Sequence, residues 1–259
     1  MSAELVVAVA SHMPYWMPSD ACYVPVWVGA SLRSEVAPEG WVLDDSYEGN
    51  ISDKNASYCE LTALHWLWRA TESPFAGLAH YRRYFSTRKL GAARSRIAGE
   101  DDLSQRLAKA PLILPKQRRY FIETNYSQYV HAHHRCDLEV TRQILGELAP
   151  EVVGPWDASM KRTYGHRFNM FVARRDILDS WCSFLFPVLA ELEQRLDISS
   201  YSQNDQRVFG FVAERLIDPW IDACGIPYTE MGVVNLESQK WPRKIVNFVG
   251  RKVRGGWRD

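Results

Sequence analysis

The stretch that decides the fold is Phe75-Ala-Gly-Leu-Ala-His-Tyr-Arg-Arg-Tyr-Phe85, in which a short apolar run precedes basic and aromatic residues. Placed after Ser73-Pro74, this run predicts a buried strand that follows the end of a helix. Ligands of α/β sheets bind beyond the carboxyl ends of the strands. His80, Arg82 and Arg83 are therefore predicted to lie at a binding site. Neighbouring side chains of an extended chain point to opposite sides, so one of the two arginines is expected to contact the ligand.

Patterns typical of strands and helices alternate on both sides of this stretch. Leu5–Ala10 predicts a buried first strand that ends at Ser11 and His12, and apolar residues at helical spacing predict a helix capped by Ser52 or Asn55. The alternation predicts the α/β class, with one domain over residues 1–240 and a basic amphipathic tail over 241–259. Further strands are predicted over 23–28, 111–115, 168–173 and 228–236, and further helices over 100–109, 138–148, 176–196 and 203–224.

The composition excludes some classes of protein. The chain has 259 residues with 31 basic and 31 acidic side chains, and a protein that coats DNA would need a basic excess. Five widely spaced cysteines without a Cys-x-x-Cys pair predict reduced thiols rather than disulfides or a zinc ribbon. With no recognisable signal peptide and no apolar run of about 20 residues, a cytoplasmic location is expected.

The C-terminal segment 244–257 mixes apolar and basic residues. A segment of this kind can lie on an anionic membrane, which would make the protein peripheral at the inner face of the cell membrane. A solvated helix or a disordered end explains the same composition, and the sequence leaves these alternatives open.

Several common catalytic motifs are missing. The sequence has no G-x-G-x-x-G, P-loop, H-E-x-x-H or G-x-S-x-G, which argues against ordinary dinucleotide oxidoreductases, P-loop enzymes and α/β hydrolases. His131, His133 and His134 lie near Cys136 and Asp137, but their spacing matches no standard metal site. If these histidines act, phosphate or hydroxyl binding is the favoured role.

A polar run, Asn50-Ile-Ser-Asp-Lys-Asn55, precedes the helix that leads to the central stretch. A helix start presents backbone N–H groups that bind anions, and Asp53, Lys54 and Asn55 add side chains for hydroxyl groups, a base edge or a phosphate. A capped helix beside a basic surface loop explains the same residues without a ligand.

Three further polar residues stand where a ligand could bind. Glu123 follows the basic and aromatic run 118–121, Asn169 interrupts an apolar run, and Asp205 begins the last main helix as a potential general base. The corresponding structural alternatives are an ion pair, hydrogen bonds within the core, and a favourable interaction with the helix dipole.

Six blocks of sequence, in order along nearly the whole chain, resemble a bacterial family. They are Asn50-Ile-Ser-Asp-Lys-Asn-Ala-Ser-Tyr-Cys-Glu-Leu-Thr62, Gly77-Leu-Ala-His-Tyr-Arg-Arg-Tyr-Phe85, Tyr120-Phe-Ile-Glu-Thr124, Gly165-His-Arg-Phe-Asn-Met-Phe171, Leu196-Asp-Ile-Ser199 and Arg207-Val-Phe-Gly-Phe-Val-Ala-Glu-Arg-Leu216. The family is the one called domain of unknown function 4422. It is found among the glycosyltransferases of exopolysaccharide, capsule and O-antigen synthesis.

The resemblance implies a GT-A-like nucleotide-sugar-binding fold with a mixed, mostly parallel sheet flanked by helices. It also implies transfer of a sugar, with galactose and galactofuranose among the candidates, from a uridine diphosphate-linked donor. The acceptor would be a hydroxyl of a growing surface polysaccharide or lipid-linked oligosaccharide. GT-A enzymes carry an Asp-x-Asp metal motif where this chain has His80-Tyr-Arg-Arg-Tyr84. Arg82 or Arg83 would then neutralise the diphosphate, and no metal or other cofactor is expected.

The resemblance further implies roles for individual residues. Asp205 is the expected catalytic base and Glu123 the second candidate. Tyr120, His166 and Asn169 are expected to bind the acceptor. The expected partners are a nucleotide-sugar and a saccharide, not a nucleic acid. The residues expected to bind the donor are Ser11, His12, Asp44, Asp45, Asn50, Ser52, Asp53, Lys54, Asn55, His80, Arg82 and Arg83.

A non-catalytic protein that binds carbohydrate or single-stranded nucleic acid is the alternative function. Aromatic residues lie among arginines at 81–85 and 118–121, and such residues stack on sugar rings and bases. The zero net charge and the missing RNP-type aromatic motif count against a nucleic-acid partner.

Overall fold

Strand β1 (Leu5–Ser11) forms the centre of the fold, and all seven of its residues are buried. Val6, Ala8 and Ala10 face the larger of two hydrophobic cores, whereas Leu5, Val7 and Val9 face the smaller one. A strand buried on both faces reads as a continuous apolar run, as predicted here. The computed structural model describes residues 4–87 and 90–237, and the predicted tail over 241–259 lies outside them.

The N-terminal half of the sheet is parallel. β1 pairs with β2 (Tyr23–Trp27) on one side and with β4 (Phe75–His80) on the other, and β3 (Val42–Leu43) extends the sheet beyond β2. Because β3 has only two residues, β2 is close to an edge, which suits Pro25 within it.

The other half of the sheet is mainly antiparallel. β4 turns directly into β5 (Arg83–Ser86), which pairs with β10 (Thr229–Asn235). β10 runs parallel to β6 (Leu112–Pro115), and β9 (Phe171–Arg174) pairs with both β6 and β4. These five strands therefore close into a ring. A mixed sheet is confirmed, but "mostly parallel" is wrong, since four of its eight described pairings are antiparallel.

Helices pack on the sheet, and α5, α6, α7 and α8 pack against one another. A small second sheet joins β7 (Arg118–Arg119) to β8 (Tyr164–Gly165). None of the helices in the described part of the chain is long and apolar enough to cross a membrane. The helices are α1 (Asn55–Tyr58), α2 (Leu61–Ala70), α3 (Glu100–Leu107), α4 (Asn125–Val130), α5 (Arg135–Leu148), α6 (Pro150–Lys161), α7 (Arg175–Arg195) and α8 (Val208–Cys224).

Three predicted elements differ from the structure. The helix after Ser52 is interrupted at Cys59, whose φ is 55°, and neither Ser52 nor Asn55 caps it with a side chain. Pro150 ends α5 but also begins α6, because proline is tolerated in the first turn of a helix. The strand predicted over 168–173 begins only at Phe171, since Phe168 and Asn169 have positive φ angles.

Most aromatic residues of the central stretch belong to the core. Tyr81, Tyr84 and Phe85 are at most 5% exposed, so they cannot stack on a ligand from the surface. The prediction that Tyr81 and Tyr84 form a stacking surface is therefore wrong. Tyr84 and Phe85 are neighbours in β5, so their side chains point to opposite faces of the strand. Both are buried because the protein covers both faces at this point.

Gly77 in β4 marks a close approach of two strands. A Cβ atom at Gly77 would lie 2.6 Å from the backbone oxygen of Phe171 in β9. Gly77→Ala is expected to lower the free energy of unfolding by about 2 kcal/mol, because the contact is to backbone and cannot relax easily. Gly146→Ala in α5 is the matched control. It meets nothing within 4 Å and should raise that free energy by up to about 1 kcal/mol. Urea unfolding of both variants tests this, and equal effects would contradict it.

Candidate active site

The carboxyl ends of three parallel strands meet at one edge of the sheet. In the register of β1, Ser11 lies opposite Trp27 of β2, and Ala10 lies opposite His80 of β4. The ring of His12 lies 5.4 Å from that of Tyr81, which follows His80. The predicted convergence of the segments after β1 and β4 is therefore present.

Asp44 forms part of the wall of this edge. Its carboxylate accepts hydrogen bonds from the backbone N–H of Gly29 (2.7 Å) and of Ala30 (3.0 Å), and from the hydroxyl of Ser52 (2.5 Å). Gly29 has a φ of 69°, and a Cβ atom there would lie 2.8 Å from the amide oxygen of Asn55. Asp44 and Ser52 are completely buried, so the structure uses them to join the segments after β2 and β3 rather than to face a ligand.

Some of the other residues of the predicted polar run bond to neighbouring parts of the protein, and others lie at the surface. The amide of Asn50 bonds to the backbone of Tyr47 and Ser52, and Lys54 Nζ lies 2.6 Å from Glu193 of α7. Asp53 is exposed and Asp45 is half-buried. The amide nitrogen of Asn55 donates to the backbone oxygen of Cys59 at 2.7 Å. Ser11 bonds locally, through its hydroxyl, to the backbone oxygen of Met13.

Three arginines lie near enough to His12 for their charges to act on it, and we call these four residues the arginine cluster. Arg33 follows β2, Arg82 follows β4, and Arg207 precedes α8. Partial desolvation and the positive charges of the three arginines lower the pKa of His12. In the described residues, Arg33 Nε donates to Val28 O, Arg82 Nη1 to Glu237 and Arg207 Nε to the Cys59 thiol. A guanidinium has five N–H donors, so donors remain for an anion.

A buried carboxylate lies beside this cluster. Glu60 accepts a hydrogen bond from Asn169 Nδ2 at 2.7 Å, and its oxygen lies 3.5 Å from His80 Nε2. Burial alone would raise the pKa of Glu60, but the charge of His80 and the hydrogen bonds lower it to about 2. Glu60, His80 and Asn169, which we call the Glu60 cluster, therefore hold a negative charge inside the protein.

The backbone around the Glu60 cluster is strained. Cys59, Phe168 and Asn169 have φ angles of 55°, 82° and 50°. Residues other than glycine rarely adopt such values, and they concentrate at functional sites where the surroundings enforce them. Here Asn169 Nδ2 also donates to Gly210 O in α8, and His80 Nε2 contacts Phe168 O.

Glu214 of α8 is a second carboxylate of the site. One of its oxygens accepts from the backbone N–H of Phe168 at 3.1 Å, and its side chain keeps 24% of its surface exposed. Arg83 lies over the ring of Phe168, and its Nε is buried without a hydrogen-bond partner in the described part of the chain. Desolvation and Arg82 lower the pKa of Arg83, and Glu214 acts against them. The other oxygen of Glu214 lies 3.6 Å from Arg215 Nη1, so Glu214 is a partly exposed carboxylate beside the half-buried Arg83 and the buried Arg215.

The two carboxylates expected as catalytic bases have other partners. Asp205 is 5% exposed and accepts from His133 Nδ1 at 3.1 Å and from the hydroxyl of Ser202 at 2.7 Å. Burial would raise its pKa, but these hydrogen bonds lower it overall, which makes Asp205 a weaker base. Glu123 lies 2.6 Å from His131 Nδ1. Neither lies in the arginine or the Glu60 cluster.

Of the three residues expected to bind the acceptor, only Asn169 joins the site. His166 is 2% exposed and lies between Asp218 (2.5 Å) and Glu230 (3.1 Å). The hydroxyl of Tyr120 accepts from Arg167 Nε at 2.9 Å, near the start of α4. Both residues help to hold the small β7–β8 sheet against α8, which a local sequence pattern cannot reveal.

The histidine-rich segment has no metal-site geometry in the described residues. His133 and His134 approach Asp205, whereas His131 pairs with Glu123. No three histidine, cysteine or acidic side chains within 4–87 and 90–237 converge on a common point that would suit a metal ion.

The sequence matches the model of a protein family over residues 6–224, and the family is described as a domain of unknown function, DUF4422. The chain belongs to the DUF4422 family. This membership confirms the resemblance carried by the six sequence blocks.

The fold of the DUF4422 chain also occurs within a larger protein of known structure. It is similar to the apo structure of the bifunctional glycosyltransferase WbbM, with a TM-score of 0.83 and 24% sequence identity. The match covers 91% of this chain and 46% of the WbbM chain, so the chain spans less than half of that protein. Comparison with curated protein sequences finds no match.

Arg33, Glu60, Arg207 and Glu214 lie at this candidate site of the DUF4422 chain, although they are not among the residues predicted from the sequence. The sequence does contain one indication for Glu60, because this charged residue lies between Tyr58 and Leu61 on an otherwise apolar helix face. Arg207 and Glu214 fit an ordinary amphipathic helix, and only the packing of α8 against α1 brings them to the strand ends.

Glu60→Gln tests the buried charge. The folded-state pKa of about 2 is below the ordinary value of 4.5, so Glu60 stabilises the fold fully above pH 4.5, and this stabilisation disappears as the pH falls toward 2. Wild type should exceed Glu60→Gln in free energy of unfolding by about 2–3 kcal/mol at pH 7, and the difference should shrink below pH 4.5. Denaturant unfolding at pH 7, 4 and 3 measures it. A difference that does not change with pH would show that Glu60 is not a buried anion.

Proposed function

We propose that this chain is a GT-A-like glycosyltransferase that moves a sugar from a uridine diphosphate-linked donor to a saccharide hydroxyl. The acceptor is a growing surface polysaccharide or a lipid-linked oligosaccharide at the inner face of the cell membrane. Galactose and galactofuranose are the first donor sugars to test. The resemblance to polysaccharide glycosyltransferases and the fold shared with WbbM support this assignment.

The arginine cluster is the observation that carries the proposal. Arginines from three separate segments lie near enough to His12, beyond the carboxyl ends of β1, β2 and β4, for their charges to lower its pKa. Charge-assisted hydrogen bonds from arginine suit phosphate oxygens. At this place the chain carries His80-Tyr-Arg-Arg-Tyr84 instead of an acidic metal motif. The arginines thus take over the neutralisation of the diphosphate, and transfer proceeds without a metal ion.

In the proposed reaction, the acceptor oxygen forms a bond to the anomeric carbon of the donor sugar. The bond between that carbon and the diphosphate oxygen breaks, and the electron pair leaves with the nucleoside diphosphate. Arg33, Arg82 and Arg207 stabilise the negative charge that develops on the leaving group. The proton of the acceptor hydroxyl passes to a carboxylate.

Glu214 is that carboxylate in our proposal, in place of Asp205 or Glu123. Its side chain is partly exposed, and it lies close enough to Arg83 and Arg207 to influence the pKa of both. Asp205 is instead held by His133 and Ser202. Asn169 and His80 lie on the same side, and because Asn169 Nδ2 donates to Glu60 and Gly210, it is the Oδ1 atom of Asn169 that contacts a sugar hydroxyl group in our proposal. Of the other residues that the sequence predicted to bind the donor, we keep Asp45 and Asp53, which lie in the nearby loop.

Binding of uridine diphosphate tests the arginine cluster. We expect wild type to bind it in buffer containing EDTA, and Arg33→Gln, Arg82→Gln and Arg207→Gln each to weaken binding by about tenfold or more. Isothermal titration calorimetry measures the affinities. Arg142→Gln is the matched control, because Arg142 forms an exposed ion pair with Asp157 away from the cluster.

Two results would contradict this part of the proposal. Binding that is abolished by EDTA and restored by manganese would show that a metal neutralises the diphosphate. If all three cluster variants bound uridine diphosphate as tightly as wild type does, the donor would bind elsewhere.

Replacement of the base should separate chemistry from binding. A thermal-shift screen of nucleotide-sugars identifies the donor, and product analysis then gives the turnover number. Glu214→Gln should lower kcat at least about 100-fold and leave the affinity for uridine diphosphate within about twofold. Asp205→Asn is the comparison variant, with circular dichroism to verify folding. Loss of turnover in folded Asp205→Asn alone would restore the base expected from the sequence.

A further inference from the structure

The loop after β7 holds two apolar side chains in solvent. Phe121 is 85% exposed and Ile122 is 75% exposed, and they are neighbours in the chain. We call residues 116–122 the basic-apolar tip. Large apolar residues exposed singly are common, but an adjacent exposed pair on a constrained loop points to a binding role.

The tip is fixed in this shape at several points. Arg118 and Arg119 pair with β8, and the backbone N–H of Tyr120 donates to Thr163 O at 2.8 Å. The N–H of Ile122 donates to Tyr120 O at 2.7 Å, which closes a three-residue turn with Phe121 at a φ of 63°. A turn of this kind is strained for a residue other than glycine. The β7–β8 pairing and these backbone hydrogen bonds hold the two apolar side chains away from the core.

Three exposed basic residues precede the exposed apolar pair in the chain. Lys116, Arg118 and Arg119 are exposed, and no acidic residue occurs between positions 116 and 122. None of the three forms an ion pair with a carboxylate of residues 4–87 or 90–237; Arg118 and Arg119 instead lie over the rings of Tyr120 and Tyr164. The adjacent acid, Glu123, is paired with His131.

We propose that the basic-apolar tip docks this chain on an anionic lipid bilayer. Phe121 and Ile122 enter the boundary between headgroups and acyl chains, while Lys116, Arg118 and Arg119 contact lipid phosphates. Aromatic and aliphatic side chains surrounded by lysine and arginine suit this interface. Two side chains cover too little area for a stable protein interface, which needs roughly 800 Å² from each partner. Within the tip Phe121 is the one exposed ring, whereas single-stranded nucleic acid requires successive stacking positions.

The tip is joined to the candidate active site. Arg167 donates from Nε to the Tyr120 hydroxyl and from Nη1 to the backbone oxygen of Glu214. Arg167 therefore connects the base of the tip to the backbone of the helix that carries Glu214. The docking itself does not depend on the proposed transfer reaction.

Vesicle co-sedimentation of the full chain tests the docking. Wild type should bind vesicles of phosphatidylglycerol and phosphatidylcholine more strongly than vesicles of phosphatidylcholine alone. Phe121→Ser/Ile122→Ser should weaken binding to the anionic vesicles at least about tenfold. Val36→Ser/Leu90→Ser is the matched control, since those side chains are 91% and 99% exposed but lie outside the tip, and it should bind as wild type does.

A second pair of measurements distinguishes insertion from simple charge attraction. Phe121→Trp should show a blue shift of its fluorescence on addition of anionic vesicles, and Val36→Trp should not. Lys116→Gln/Arg118→Gln/Arg119→Gln should lose the preference for anionic lipid and most of the salt dependence.

Several outcomes would overturn the docking proposal. They are the absence of binding by wild type, unchanged binding by Phe121→Ser/Ile122→Ser, and an unshifted Phe121→Trp spectrum. RNA binding by wild type, lost in the tip variant and without vesicle binding, would assign the tip to a nucleic acid instead. Uridine diphosphate titrations of the same variants are independent of these outcomes, so a failed tip and a failed donor site can be told apart.

Discussion

The interaction on which the site depends is the buried carboxylate of Glu60. A charge inside a protein is tolerated only when it is paired and hydrogen-bonded, so Glu60 requires its partners to be in place. Asn169 supplies one hydrogen bond and also bonds to Gly210 in α8. His80 brings the end of β4 to the same point. A single anion thereby connects the break between α1 and α2, the end of β4, the turn before β9 and the last helix.

The strained backbone positions follow from this constraint. Asn169 reaches Glu60 only because the chain turns at Phe168 and Asn169, and Glu60 points inward because α1 ends at Cys59 before α2 starts. The hydrogen bond from the backbone of Phe168 to Glu214 then fixes the accessible carboxylate beside Arg83. One set of hydrogen bonds therefore stabilises both the strained backbone and the buried carboxylate.

The sequence was sufficient for elements that depend on local patterns. The apolar runs of β1 and β4 and the helices predicted over 176–196 and 203–224 all correspond to observed elements. It was also sufficient to place His12, His80 and Arg82 at one edge, since parallel strands end together. It could not place Arg207 or Glu214, which reach the site through the packing of a helix more than 120 residues further along the chain. It also could not show that the carboxylate oxygens of Asp44 and Asp205 accept hydrogen bonds from other groups of the protein.

The ring of strands has a consequence for how the chain reaches its native state during synthesis. β10 lies between β5 and β6, yet it is the last of the described strands to be translated. Until residues 229–235 leave the ribosome, the edges of β5 and β6 have no partner at that position, and unpaired edges favour association with other chains. The contacts that complete the ring join residues more than 110 positions apart, which slows folding. The nascent chain therefore passes through a long interval in which its sheet is open.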